Sequence, residues 1–167
     1  MNKLFESFVA HHLKNELDKN ELRIKTQAKG KYLISNKSDN LFALRPDIVI
    51  SKPAKKSKKE QIFILDTKWK ILDENDKNKG VSQADMYQMF AYSKKYALDL
   101  EEENKAQDLK EKESKEQNLK DKKSKTPKLQ IFLTYPQTEL NLKKLEEINW
   151  QFKSSKIETK LKLFPLF

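Results

Sequence analysis

The sequence predicts a single domain of mixed α/β class, an α+β sandwich in which helices flank a mixed central sheet. Three observations predict it: apolar residues at helical spacing open the chain, a second helix-like stretch starts near Ser82, and short runs rich in Ile, Val, Phe and Leu surround that stretch. In order, the elements read helix, three or four strands, helix, strand, strand. A chain of 167 residues can bury one core beneath such layers.

Residues 1–19 place Leu4, Phe5, Phe8, Val9, Leu13 and Leu17 on an amphipathic helix. Residues 22–35 read as a strand or a loose hairpin, Arg23–Gln27 and Lys31–Ile34 lying on either side of Gly30. Phe42–Ile50 and Gln61–Lys70 are the two clearest strands, and the polar, Lys-rich Ser51–Glu60 with Pro53 is the turn between them. Asp73–Gly80 is a polar loop. A helix follows over Ser82–Leu98, with Ser82 as N-cap and Met86, Met89, Phe90 and Ala97 among its apolar positions. Residues 100–127 are almost entirely charged and amide side chains, with isolated Leu109 and Leu119. This insertion is expected to be disordered or loosely helical, a solvated charged helix being the alternative. Leu129–Tyr135 is a strand stopped by Pro136, and Ser155–Phe164, alternating around Ile157, Leu161 and Leu163, reads as an edge strand.

Composition narrows the chemistry. Without cysteine there are no disulfides, thiolate metal sites or cysteine nucleophiles. His11 and His12 are adjacent on a predicted helix, point in different directions and do not chelate one ion together. A metal would therefore rest on oxygen ligands, which favours Mg²⁺, or Mn²⁺, over zinc. The formal charge of +10 suits a nucleic-acid backbone. Residues 99–126 are near balance, so the positive excess lies on the rest of the chain. There is no apolar run of membrane-spanning length and no signal-peptide core at the start, which predicts a cytoplasmic protein.

The two central strands carry the site. Folded back about Lys56-Ser57 they form an antiparallel pair in which partner numbers have a constant sum, and this register brings Asp47 beside Asp66. Side chains alternate along a strand, so Asp66 and Lys68 share one face while Thr67 points away. Acidic residues near strand ends ordinarily just meet water. A carboxylate within a buried strand, however, is costly unless it is paired or binds a metal, and two neighbouring carboxylates call for a cation. Two acids and a lysine at one end of an apolar hairpin are the sequence sign of a metal-dependent phosphodiesterase site. On the second helix Asp85, Gln88 and Tyr92 fall on one face, and the helix follows directly after the D-x-K strand. The plainer alternative for that face is a solvated surface with a half-buried tyrosine.

Pro46-Asp47, Asp66-Thr67-Lys68 and a following Q-x-x-x-Y helix resemble the PD-(D/E)xK nuclease superfamily. Within it, the sequence is similar to the nuclease domain of McrC, the DNA-cleaving subunit of McrBC-type (5-methylcytosine) restriction systems. The matching phrases are Leu44–Val49, Ile64–Lys70, Asp85–Tyr92 and Leu133–Pro136, with Leu4–Val9 resembling the helix that opens that domain. The resemblance covers nearly the whole chain apart from the charged insertion. It implies a restriction-endonuclease-like core and a Mg²⁺-dependent DNA endonuclease. Asp47, Asp66 and, from the first helix, Glu6 would be the metal ligands. Lys68 would stabilise charge on the scissile phosphate or orient the attacking water, Gln88 and Tyr92 would position the metal shell or DNA, and Asp85 would orient Lys68 or Gln88. Glu6 fits a helix-capping or surface role equally well. Lys52, Lys55, Lys56, Lys58 and Lys59 lie at the far end of the hairpin, where a solvated turn is their expected role.

McrC-like proteins engage a McrB-like GTPase ring through a region ahead of the nuclease domain, and that docking region is expected to be absent from this chain. Two alternatives stay open: a RecB-like exonuclease module, which has a similar site, and a non-catalytic DNA-binding or assembly remnant. The presence of Asp47, Asp66 and Lys68 together argues against the remnant.

Overall fold

A computed structural model describes residues 1–53, 60–73, 75–113, 128–136, 149–152 and 159–166. The first helix, α1 (Asn2–Glu16), ends where Leu17 turns extended and its N–H bonds the Leu13 carbonyl. The strands β1 (Arg23–Thr26), β2 (Lys31–Ser35), β3 (Asn40–Leu44), β4 (Ile48–Lys52) and β5 (Gln61–Thr67) follow. After them come a short 3₁₀ turn at Lys77–Gly80, helix α2 (Gln83–Glu113), and strands β6 (Lys128–Pro136), β7 (Asn149–Phe152) and β8 (Thr159–Leu166).

Six strands form a mixed sheet in the order β1-β4-β5-β6-β8-β7. The β1–β4, β4–β5 and β7–β8 pairs are antiparallel, whereas β5–β6 and β6–β8 are parallel. The parallel step from β5 to β6 requires a long crossover, and α2 lies within it. The register of the central hairpin is the expected one: Ile48 faces Leu65 and Lys52 faces Gln61, every pair summing to 113.

Strand alternation divides the core into two layers. Ile48, Ile50 and Leu65 pack with Phe5, Val9 and Ala10 of α1. Val49 and Ile64 point the other way and join Met89, Tyr92, Tyr96, Ala97 and Leu100 of α2, together with Leu129, Ile131 and Leu133 of β6. Each fully buried aliphatic side chain contributes about 1.5–3 kcal/mol. On α2 the buried positions recur at intervals of three and four. Ser82 caps the helix: the Asp85 N–H donates to its Oγ at 3.1 Å, and its hydroxyl donates to Asp85 Oδ2 at 2.7 Å. Gly80, at φ +74°, turns the chain tightly against Leu72 and Asp73; a Cβ there would stand 3.1 Å from the Asp73 nitrogen.

Several elements differ from expectation. Residues 22–35 are not one hairpin, because β1 pairs with β4 while β2 pairs with β3 in a separate two-stranded sheet. The run Phe42–Ile50 is broken at Arg45-Pro46-Asp47, where Pro46 lacks an N–H for the ladder. Leu4 and Phe8 are exposed, since the α1 layer is narrow and filled by Phe5, Val9 and Ala10. Helix α2 does not end at Leu98. It continues to Glu113 into the charged stretch, anchored by buried Tyr96 and Leu100 and carried on by good helix formers. Strand β8 is not an edge, because it lies between β6 and β7, with Leu161 fully buried. The outer strand is β7, whose four residues carry too little pattern to announce it. Residues 114–127 and the turn lysines Lys55, Lys56, Lys58 and Lys59 lie outside the described residues. Among the described residues no helix is long and apolar enough to cross a membrane.

Candidate active site

Asp66 sits near the end of the central strand β5, with its side chain on the α2 side of the sheet, like that of Ile64 two residues before. Its carboxyl is almost wholly buried, at 1% exposure. Oδ2 is in ion-pair contact with the Lys68 ammonium but takes no aligned hydrogen bond. Burial raises this carboxyl, the neighbouring Asp47 raises it further, and Lys68 offsets only part of the effect, so it is pushed up from 3.8 to about 6.

Asp47, just ahead of β4, is held from the α1 side of β5. Its Oδ2 accepts hydrogen bonds from both the N–H and the hydroxyl of Thr67, each at 2.7 Å. Thr67 points to the face opposite Asp66, as strand alternation suggests, and the Asp47 side chain, coming from the loop ahead of β4, meets it there.

Lys68 continues the β5–β6 ladder by one bond, its N–H donating to the Thr134 carbonyl at 2.9 Å, and this fixes the backbone from which its side chain extends. The ammonium donates to Gln88 Oε1 at 3.1 Å and lies 3.8 Å from Asp85 Oδ1. Gln88 Nε2 in turn donates to the buried Tyr92 hydroxyl at 2.8 Å. One amide thus links phenol and ammonium, and its orientation is set from both ends. Burial works against the charge on Lys68, but Asp66, Asp85 and Asp47 outweigh it and hold the ammonium above its ordinary value. Asp85 lies between two lysines, with Lys70 Nζ at 2.5 Å from Oδ2. Burial pushes its carboxyl up; the bonds from Lys70 and Ser82 and the two ammonium charges prevail and hold it below the usual range.

The structure thus brings together Asp47, Asp66, Lys68, Asp85, Gln88 and Tyr92 at the carboxyl end of β5. Glu6 is tied elsewhere: Gln27 Nε2 donates to its Oε1, and the Gln27 N–H bonds the Asp47 carbonyl at 2.8 Å. Among the described residues no three His, Cys, Asp or Glu stand close enough together to hold a metal ion. Two carboxylates remain, one of them buried with a raised pKa and an oxygen lacking a hydrogen-bond partner. That donor set fits a hard cation such as Mg²⁺, which commonly takes one or two carboxylates and completes its shell with water and phosphate oxygens.

Sequence reasoning did not single out Lys70, Thr67 or Gln27. Lys70 was within reach, since it repeats the two-residue spacing of Asp66 and Lys68. Gln27 had no signal, because its role depends on β1 pairing with β4.

A profile of the McrBC 5-methylcytosine restriction system component family matches residues 1–105. No curated protein matches the sequence. Among solved structures, the fold is similar to a chain of the refined half-complex from the tetradecameric assembly of Thermococcus gammatolerans McrB AAA+ hexamers with bound McrC. The TM-score is 0.56 at 16% identity, covering 99% of this chain and 28% of that one. The family profile spans well over half the sequence, including Asp47, Asp66, Lys68 and Gln88, and the chain belongs to the McrBC 5-methylcytosine restriction system component family.

Proposed function

We propose that this chain is the nuclease domain of a McrC-like restriction component, a Mg²⁺-dependent DNA endonuclease that hydrolyses phosphodiester bonds and also accepts Mn²⁺. The observation that carries this reading is the convergence of Asp47, Asp66 and Lys68 at one strand end, with the Asp66 carboxyl buried beside a second acid. Asp47 and Asp66 would hold the ion, and Glu6 would be an outer partner connected through Gln27. When bound, Mg²⁺ lowers the pKa of a coordinated water and offsets phosphate charge.

The remaining work falls to the chain's own side chains. Lys68 stays protonated and presents an ammonium to the scissile phosphate, where negative charge grows in the transition state. Gln88 and Tyr92 restrict that ammonium to one position. Asp85 keeps Lys70 beside it as a second cation near the DNA backbone. The family supports a McrB-like GTPase ring as partner, and the +10 formal charge supports DNA as substrate.

The test is nicking of supercoiled plasmid by the purified chain with Mg²⁺ or Mn²⁺, beside Asp66→Ala. Metal-dependent relaxation that the variant lacks is expected, whereas metal-independent cleavage, or none at all, refutes the reading. A linear duplex with blocked ends separates endonuclease from exonuclease.

A further inference from the structure

Strands β2 and β3 form a ribbon that pairs with no described strand of the main sheet. Tyr32 faces Ala43 and Ile34 faces Leu41, but the ladder lapses between them, at Leu33 and Phe42. Phe42 stands at φ +56°, a left-handed conformation unfavourable for any residue with a Cβ. The ribbon displays large apolar groups on both faces: Leu33 is 52%, Ile34 49%, Leu41 49% and Phe42 67% exposed. A two-stranded ribbon is marginal in water by itself, so these side chains call for a covering surface.

Charge indicates which surface. Across the ribbon and its flanks, from Lys29 to Arg45, there are four basic residues and a single acid, Asp39, a balance that suits a polyanionic partner. A two-stranded ribbon fits a groove of duplex DNA, and Phe, Leu and Ile are the residue types that wedge between base steps. The ribbon is also attached to the proposed site. At its base Lys31 pairs with Asp99 of α2 and lies 4.5 Å from the Tyr96 ring centroid, while β3 leads directly into Pro46-Asp47. Phe42 is five residues before Asp47, so the chain allows at most about 17 Å between them, the rise of about five base pairs.

We propose that the β2–β3 ribbon enters a groove of the DNA within about five base pairs of the scissile phosphate, with Phe42 as an apolar wedge that unstacks a base step and Lys29 and Lys37 on flanking phosphates. The proposal rests on the nuclease reading for the position of the cut, not for the contact itself.

The test uses the full chain in EDTA, where binding is read without cleavage, and short duplexes carrying 2-aminopurine. The wild-type protein should raise the 2-aminopurine fluorescence on binding. Phe42→Asn, whose new side chain tolerates the left-handed backbone, should melt no lower than wild type. It should bind about tenfold more weakly, abolish the fluorescence rise and keep the salt dependence. Lys29→Ala with Lys37→Ala should instead reduce the slope of log affinity against log salt by about two. Unchanged affinity and fluorescence in Phe42→Asn overturn the proposal. So does self-association of the free chain that Phe42→Asn abolishes while DNA binding stays intact, because a second copy then covers the ribbon. If fluorescence responds as expected while plasmid nicking fails, the nuclease reading falls and the DNA contact stands; nicking without any fluorescence response removes the wedge alone.

Discussion

Replacing Asp66 by Asn should stabilise the metal-free protein while disabling it. The Asp66 carboxyl rises from 3.8 to about 6 on folding, first through burial and then through Asp47. At 1.36 kcal/mol per pKa unit, keeping this group ionised in the fold costs about 3 kcal/mol. The sign follows from proton uptake. Between about pH 4 and pH 6 the folded state binds more protons than the unfolded chain, so stability falls as pH rises through that window, and the full cost is present above it. Protonated aspartic acid and asparagine are nearly isosteric, so the figure already contains the attraction to Lys68 that the substitution removes. Asp66→Asn should then match wild type near pH 4 and exceed it by up to about 3 kcal/mol near pH 8, roughly 6–12 °C in Tm for a chain of this size. Metal should close most of that gap. Mg²⁺ at a hundred times its Kd adds about 2.7 kcal/mol to a protein that binds it, and the variant should gain little. Thermal denaturation in EDTA at both pH values, then with Mg²⁺, measures all of this. An equal difference between the two proteins at both pH values refutes the electrostatic reasoning, and an equal Mg²⁺ response refutes the assignment of Asp66 as a ligand.

Lys68→Ala should abolish plasmid cleavage and leave Mg²⁺ affinity by calorimetry largely intact, because an ammonium is not a ligand; a large loss of affinity would mean that Lys68 shapes the metal site itself. Tyr92→Phe should leave a folded protein but free the Gln88 amide to turn, lowering cleavage through kcat more than KM; a pure KM effect would contradict the positioning role. Met89→Ala, at a fully buried α2 position between the core and the site, should cost about 2–5 kcal/mol in urea denaturation, and a negligible cost would show that α2 packs loosely. The chain lacks a G-x-x-x-x-G-K-[ST] loop, with Gly30 and Gly80 fifty residues apart, so GTP should neither bind nor be hydrolysed. Cleavage by the isolated chain should also be indifferent to GTP and to cytosine methylation. A strong preference for methylated plasmid, measured with and without GTP, would reveal a recognition element on this chain.

The sequence by itself determined the α+β class, both helices, the central hairpin with its register and the face shared by Asp66, Lys68 and α2. These are decided locally, by alternation along a strand, helical spacing and a turn that leaves one sensible pairing. Tertiary structure alone decided where strands distant in sequence go. Leu161 is fully buried because β8 lies between β6 and β7, and nothing in an alternating segment tells an inner parallel strand from an edge. The β2–β3 ribbon is separate because β1 takes β4 as its partner. At the site, too, the residue types were legible while their connections were not. Thr67 bonds Asp47, and Lys70 reaches Asp85, because a loop and a helix N-terminus meet at the end of β5. Parallel pairings and helix docking are chosen by the total burial of the finished core, a property that no short segment of the chain possesses.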